Sequence, residues 1–186
     1  MEIFDVKQNN SERTFELAIA RANELNTDIV FATTTGNTGL EFIKAAEKYG
    51  YKGRLIAVTH AYGSREKGKN IMPEEVRNEL KEKGVILVTA AHALSGAERS
   101  LSRMHQGVYP AEIIADTLRM ISAGTKVCVE IGAMAMDAGI LEYQKPVICI
   151  GGTGRNADTA CVITPSYTAS LMETRINEFL CKPGLY

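Results

Sequence analysis

A run of hydroxyl and glycine residues, TTTGNTG at positions 33–39, is the part of the sequence best suited to binding chemistry. It follows a short apolar run and precedes a helix, because Thr38 and Glu41 have the spacing of a capping box. Such a turn can bind phosphate or another anion, because the first amides of the helix are unpaired, the glycines allow close approach and the hydroxyls add donors. The candidate ligand-binding residues are Thr34, Thr35, Gly36, Asn37, Thr38 and Gly39. The alternative is a polar turn whose threonines only cap the helix.

A second glycine-rich segment, GGTGRNADT at positions 151–159, lies between two predicted strands. A long hairpin there would carry Arg155 at its tip and supply the positive charge that the first turn lacks. The alternative is an ordinary polar hairpin without a ligand. The candidate binding residues are Gly152, Thr153, Gly154 and Arg155.

The segment GSREKGKN at positions 63–70 comes close to the P-loop pattern GxxxxGK[ST], with Asn70 in the place of the Ser or Thr that coordinates magnesium. A P-loop runs directly into its helix after the lysine, whereas here the helix begins only at about Pro73. We therefore do not expect an ATP-binding P-loop. His60 leaves the end of the preceding predicted strand, and it is a further candidate for the ligand site.

Residues 90–109 contain no clear strand and at most one short helix. Connections longer than about 12–15 residues are uncommon in compact domains and often act as lids or binding loops. Arg99 and Arg103 would share one face of a helix at i, i+4 spacing and could clamp an anion. A solvated helix face is the equal alternative. The possible lid contacts are His92, Arg99, Arg103 and His105.

Glu130 is the carboxylate best placed for contact with a ribose or a ring, since it lies near the end of a predicted strand at 126–131. The sequence contains no Ser-His-Asp order, HExxH motif, CxxC pair or GxGxxG motif, so no catalytic residue is assigned and a dinucleotide-binding fold of that type is not expected. The three histidines are too scattered to predict a metal site. The four cysteines are interpreted as small buried side chains, with a metal or redox pair as the alternative.

Hydrophobic periodicity and turn residues predict alternating helices and strands. The first helix, for example, places Phe15, Ile19 and Ala22 on one face. Helices are predicted at 11–25, 38–50, 73–84, 110–124, 133–142 and 167–181. Strands are predicted at 29–33, 54–59, 85–89, 126–131, 146–150 and 160–164.

This alternation predicts an α/β fold: a three-layer α/β/α sandwich with a mostly parallel sheet of about six strands. Only about nine residues separate the last two predicted strands, too few for a parallel crossover. The final strand is therefore expected to be antiparallel. We expect one domain over residues 1–186, since no repeat or linker-like stretch interrupts the chain.

The charge balance argues against polyanionic partners. There are 21 Lys and Arg against 22 Asp and Glu, which gives no electrostatic basis for binding nucleic acid or a membrane surface. No apolar run approaches the roughly 18 residues that suggest a membrane span, and the N-terminus lacks a signal-peptide pattern. A cytoplasmic location is expected.

Two parts of the sequence resemble the carboxyl-terminal domain of pyruvate kinase. IVFATTTGNTGLEFIKAAEKYGYKGRLIAVT at 29–59 is similar to that domain's opening strand, its Thr-x-Ser-Gly-x-Ser turn, its helix and its second strand. PVICIGGTGRNADTACVITP at 146–165 is similar to its final hairpin. With the strand at 85–89 and the helix at 111–123, the resemblance extends over roughly half of the chain and supports the same fold.

The resemblance implies where a ligand would bind. In pyruvate kinases that respond to sugar phosphates, the first turn and the hairpin loop hold the phosphates of the effector. These correspond here to residues 34–38 and 152–158. Thr35 and Asn37 replace the Lys and Arg that family members often carry, which weakens the case for a sugar bisphosphate. A phosphorylated small molecule is expected instead, and a mononucleotide such as FMN would place one phosphate in the first turn.

Other departures leave rival functions open. The catalytic barrel has no counterpart, so a stand-alone relative without pyruvate kinase activity is expected, and segments 90–109 and 126–142 have no equivalent in the family. One alternative is an enzyme of unknown reaction that uses the 90–109 lid, with His92, His105 or Glu130 as the acid or base. Another is a regulatory or assembly module, because related domains pack against one another in homo-oligomers.

Overall fold

The computed structural model describes residues 1–154 and 156–184. Its described residues form one sheet of seven strands in the order β1-β7-β6-β5-β2-β3-β4. All neighbouring strands are parallel except β6, which is antiparallel to both β5 and β7. The strands are β1 (Glu2–Phe4), β2 (Ile29–Ala32), β3 (Leu55–Thr59), β4 (Ile86–Thr89), β5 (Val147–Gly151), β6 (Thr159–Thr164) and β7 (Arg175–Pro183).

Helices cover both faces of the sheet, which confirms the predicted three-layer α/β/α sandwich. They are α1 (Ser11–Leu25), α2 (Asn37–Lys48), α3 (Glu74–Glu82), α4 (Glu98–His105), α5 (Pro110–Arg119) and α6 (Ala123–Asp137), with a 3₁₀ helix at Thr168–Glu173. Successive residues of β2 alternate between two cores. Phe31 packs in the core that includes Phe15 and Phe42, whereas Val30 packs in the core that includes Ile131 of α6.

The helices and strands predicted between residues 11 and 89 are confirmed within a few residues. In α1, Phe15, Ile19 and Ala22 are fully or almost fully buried, as the spacing indicated. The antiparallel pairing of the closing hairpin is also confirmed, since Cys149 of β5 lies opposite Cys161 of β6. Local patterns were a sufficient guide here, because α1, α2 and α3 each have one buried and one exposed face, and β2 and β3 are short apolar runs buried on both faces.

The predicted strand at 126–131 is wrong, because these residues lie inside α6. The Oγ atom of Ser122 accepts a hydrogen bond from the Thr125 amide at 2.9 Å and caps the start of this helix. Since α6 is buried over nearly its whole length, apolar residues surround its buried Lys126 and Glu130, and the sequence lacks the exposed polar face that marks a surface helix. The predicted helices at 110–124 and 133–142 change accordingly: α5 ends at Arg119, and the second is the end of α6.

The predicted terminal helix at 167–181 is also wrong. The chain forms the short 3₁₀ helix and then β7, which pairs with β6 on one side and with β1 on the other. Without β7, the strand β6 would present an open edge of unpaired amides and carbonyls. Pairing across the sheet therefore outweighs the local helical spacing. The three residues of β1 are too short to show a strand period, and the sequence did not predict them.

The start of α6 packs so closely against the β5–β6 hairpin that a side chain at Gly124 would clash with it. A Cβ atom there would lie 2.2 Å from Thr159 Oγ1, whereas a Cβ at Gly132 of the same helix would meet Pro165 Cβ at 3.2 Å. We expect Gly124→Ala to lower the free energy of unfolding by about 1–3 kcal/mol, the usual cost of overpacking. Gly132→Ala is the matched control, because it gains the same helix propensity of about 1 kcal/mol with a milder contact. Urea denaturation measures both, and equal stability of the two variants would contradict the packing argument.

Candidate functional site

A cavity of about 820 Å³ opens at the carboxyl ends of β2, β3 and β5. β2 pairs with β3 on one side and with β5 on the other, so the strand order reverses at this point. Ligands of open α/β sheets bind at such a switch point, and the cavity volume lies in the range of about 300–1,000 Å³ typical of small-molecule sites. The two glycine-rich turns that the sequence singled out follow β2 and β5, and both reach this cavity.

The first turn lies at the N-terminus of α2. Thr34, Thr35, Asn37 and Thr38, four of the predicted ligand contacts, line the cavity. No described side chain caps the start of α2, which leaves its first amides for a ligand. The cavity wall also includes Thr33, the last residue of the predicted strand at 29–33.

Gly36 and Gly39 shape this turn, and neither is part of the cavity wall. Gly36 has φ +96°, and a Cβ atom on it would lie 2.2 Å from Val76 Cγ1. A Cβ on Gly39 would lie 3.0 Å from Leu80 Cδ2, so this glycine packs against α3. They allow α2 to begin close to α3 and hold the turn in place, and their contact with a ligand stays a prediction.

The second turn closes the cavity from the side of β5. Gly152, Gly154 and Asn156 line it. A Cβ atom on Gly152 would lie 1.8 Å from the Asn156 carbonyl oxygen, so the loop closes on itself only with glycine at this position. Thr153 is not part of the wall, and its amide donates to Asp158 Oδ2 at 2.9 Å. The predicted contact of Arg155 lies outside the described residues.

A buried charge network forms the opposite wall. The Glu130 carboxylate accepts the Leu94 amide at 3.0 Å and the Lys126 ammonium at 2.5 Å, and His92 Nδ1 lies 3.5 Å from Glu130 Oε2. Burial raises the pKa of Glu130, but His92 and Lys126 outweigh burial and bring this pKa down to about 2. Burial also lowers the pKa of Lys126, against the opposing influence of Glu130. Glu130 is thus an ionised acceptor that orients the groups around it.

The cavity wall carries more positive than negative charge. Arg65, Arg99, Arg119 and Lys126 line it together with one carboxylate, Glu130. Arg119 also pairs with Asp116. His60 stacks on His92 with ring centroids 4.7 Å apart. Burial lowers the pKa of His60, and the neighbouring His92, Arg65 and Arg99 lower it further, so the imidazole is biased toward its neutral form. The wall therefore favours an anionic ligand.

The sequence located some of these residues for the wrong reason and missed others. Glu130 lies in the middle of α6, and not at the end of a strand as predicted, but α6 begins against the end of β5 and brings this carboxylate to the same cavity. His60, His92 and Arg99, which were predicted to contact a ligand, line the cavity, whereas Arg103 and His105 are exposed on α4 and do not. Lys126 was missed, although its i, i+4 spacing from Glu130 is a recognisable helical ion-pair signal.

A second cavity, of about 550 Å³, lies between β1 and α1. Its arginine, Arg13, is already paired with Glu2 at 2.8 Å and with Glu16 at 2.7 Å. Four carboxylates, those of Glu2, Asp5, Glu12 and Glu16, line this cavity beside Arg13, so its charge does not favour an anion. In the described residues, no group of three His, Cys, Asp or Glu side chains is arranged to hold a metal ion. The helices of the described chain include none with the length and apolar character needed to cross a membrane.

Comparison with known proteins gives one family. The family model described as pyruvate kinase, alpha/beta domain, matches residues 12–163. Among solved structures, a pyruvate kinase from Cryptosporidium parvum matches at 19% identity and a TM-score of 0.41, covering 83% of this chain and 22% of that one. The Cryptosporidium parvum pyruvate kinase in complex with ADP matches at 20% identity and a TM-score of 0.38, covering 76% of this chain and 20% of that one. This chain thus spans about a fifth of the length of these enzymes.

Proposed function

The chain belongs to the pyruvate kinase alpha/beta domain family, and from this premise we propose that it binds a phosphorylated small molecule in the 820 Å³ cavity. The observation that carries the proposal is the convergence of two glycine-rich turns on one cavity at the switch point of the sheet. Each turn alone is also compatible with a structural role. Their meeting beside uncapped helix amides is what a phosphate site requires.

The phosphate is proposed to bind at the first turn. The amides at the start of α2 point toward an anion there, and the hydroxyls of Thr34, Thr35 and Thr38 add further donors. Gly152 and Gly154 allow the second loop to approach the same group without side-chain interference. A single phosphate is favoured over a bisphosphate, because no lysine or arginine stands within the 33–39 turn itself.

The rest of the ligand is proposed to be a nucleoside or a comparable ring system, with FMN as the first candidate. Val127, Ile131 and Met134 of α6 give the cavity an apolar wall opposite the first turn. A flat ring would pack on these side chains and leave its polar edge toward His60, His92 and Glu130. The volume of the cavity is sufficient for a mononucleotide. A bound flavin would supply redox chemistry, whereas the protein residues bind and orient it.

We expect the phosphate to determine affinity. Isothermal titration calorimetry should be carried out with FMN against riboflavin, AMP against adenosine, and ribose 5-phosphate alone. Charge-assisted hydrogen bonds contribute about 1.5–3 kcal/mol each, so each phosphorylated compound should bind at least about tenfold more tightly than its unphosphorylated partner. Equal affinity within both pairs, or no binding of any of these phosphates at millimolar concentration, would contradict the proposal.

A further inference from the structure

The cavity contains unusual polar atoms. Among the described residues, two buried side-chain atoms lack a hydrogen-bond partner, Thr33 Oγ1 and His92 Nε2. Both residues line the same cavity. Buried polar atoms are nearly always paired in folded proteins, because an unpaired one costs about 1–3 kcal/mol. Two unpaired atoms in one cavity are therefore points where a bound molecule, water or ligand, supplies the missing partner.

Thr33 is held in place by its own backbone. It is 4% exposed, and its amide donates to the Val58 carbonyl at 3.0 Å in the ladder between the ends of β2 and β3. Its hydroxyl can donate and accept, so it can pair with either kind of ligand atom.

The Glu130 carboxylate determines which ring nitrogen of His92 carries the proton. A carboxylate only accepts hydrogen bonds, so the imidazole nitrogen that faces it, Nδ1 at 3.5 Å, carries the proton. In the neutral ring, Nε2 is then an acceptor without a donor. Lys126 and the Leu94 amide also donate hydrogen bonds to Glu130, so the carboxylate is held in the position where it faces Nδ1 of His92. The ring of His60 covers His92, and since His60 is only half-buried, it can turn aside for a ligand.

We propose that His92 Nε2 and Thr33 Oγ1 form a subsite that recognises the polar edge of the ligand's ring, with Nε2 accepting a hydrogen bond from a ring N–H. The inference rests on the proposed function, because it assigns a further contact of the same ligand. It selects a chemical class: phosphorylated compounds whose ring carries an N–H donor, such as the imide of a flavin or of uracil. Rings that present only acceptors at this edge would leave Nε2 unpaired and bind less well.

A pair of ligands that differ only in this donor tests the proposal. FMN and 3-methyl-FMN, and UMP and 3-methyl-UMP, share phosphate and sugar, but the methyl group removes the N–H. Titration calorimetry of the wild-type protein should give about tenfold tighter binding of the N–H form in the pair that fits the cavity, equivalent to about 1.4 kcal/mol. Equal affinities within both pairs would overturn the proposal and would mean that solvent, not a ligand, serves these atoms.

The variant His92→Phe separates the hydrogen bond from simple crowding. It keeps a flat ring against His60 but has no acceptor, so the N–H and methylated forms should bind equally. If the methylated ligands still bind more weakly to this variant, the loss is steric and the proposal is overturned.

Thr33→Val should raise the melting temperature of the free protein, because it removes an unpaired buried hydroxyl, and should weaken FMN binding several-fold. Unchanged FMN affinity would remove Thr33 from the subsite.

Ribose 5-phosphate distinguishes failure of this inference from failure of the proposed function. It lacks the ring, so its affinity should be the same in wild type and in His92→Phe. If ribose 5-phosphate and FMN bind but N3-methylation has no effect, the phosphate site stands and the ring subsite is wrong. If none of the phosphorylated probes binds, the proposed function itself is wrong.

Discussion

Replacing Asn37 by Asp is expected to weaken FMN and ribose 5-phosphate binding by about 100-fold while leaving the fold intact. Asn37 is the first residue of α2 and is exposed to the cavity, so the new carboxylate would face the proposed phosphate. Two unit charges about 4 Å apart repel by about 4 kcal/mol near a protein surface, before screening by salt reduces this value. The same carboxylate at a helix N-terminus should stabilise α2 by about 0.3–1 kcal/mol.

The opposite signs of these two effects make the experiment decisive. Thermal denaturation should show an unchanged or higher melting temperature for Asn37→Asp, and calorimetry should show the loss of binding. Asn23→Asp is the matched control, because it makes the same change in charge and shape at an exposed position of α1 that is not part of the cavity. FMN binding by Asn37→Asp at wild-type affinity would place the phosphate elsewhere.

Replacing Glu130 by Gln is expected to lower the free energy of unfolding by about 3–5 kcal/mol, the usual cost of breaking a buried ion pair. Lys126 is 6% exposed, and without Glu130 its ammonium would be buried with no opposite charge. The Gln side chain would still accept the Leu94 amide, so the loss would report mainly on the unpaired lysine. Urea denaturation at neutral pH measures the effect.

The double variant Lys126→Met/Glu130→Gln provides the test of this explanation. It removes both charges and keeps the hydrogen bond to Leu94, so it should recover most of the stability that Glu130→Gln loses. If the double variant is no more stable than Glu130→Gln, the carboxylate stabilises the fold through its shape or through His92, and not through its pairing with Lys126.

The same carboxylate makes a prediction about acid denaturation. Its pKa is about 2 in the folded protein, against the ordinary value of 4.5. A lowered folded-state pKa contributes stability that is present above pH 4.5 and is lost as the pH falls toward 2. We expect Glu130 to account for roughly 3 kcal/mol of this loss. When the free energy of unfolding is measured from pH 6 to pH 2, Glu130→Gln should therefore lose less stability on acidification than the wild type.

The errors of sequence-based prediction fall on two particular segments. The segment KVCVEI at 126–131 is rich in β-branched residues, and a buried helix without a polar face has no period that distinguishes it from a strand. Residues 167–181 have the spacing of a helix, but residues 175–183 pair with β6, which would otherwise have an open edge. Neither outcome can be obtained from local propensity, because each depends on what the segment meets in the folded chain.

For the site, the order of strands and glycine-rich turns was enough to predict a ligand cavity beyond β2 and β5, since parallel strands must end on the same edge of the sheet. The sequence by itself therefore determined the fold class, the closing hairpin and the first turn at 34–38. The tertiary structure alone decided that α6 begins at this edge and brings Lys126 and Glu130 to the cavity, and that Gly36 and Gly39 support the turn without lining the cavity. It also showed Thr33 Oγ1 and His92 Nε2 as unpaired atoms, because the pairing of a buried atom depends on every element packed around it, and residues distant in sequence supply those elements.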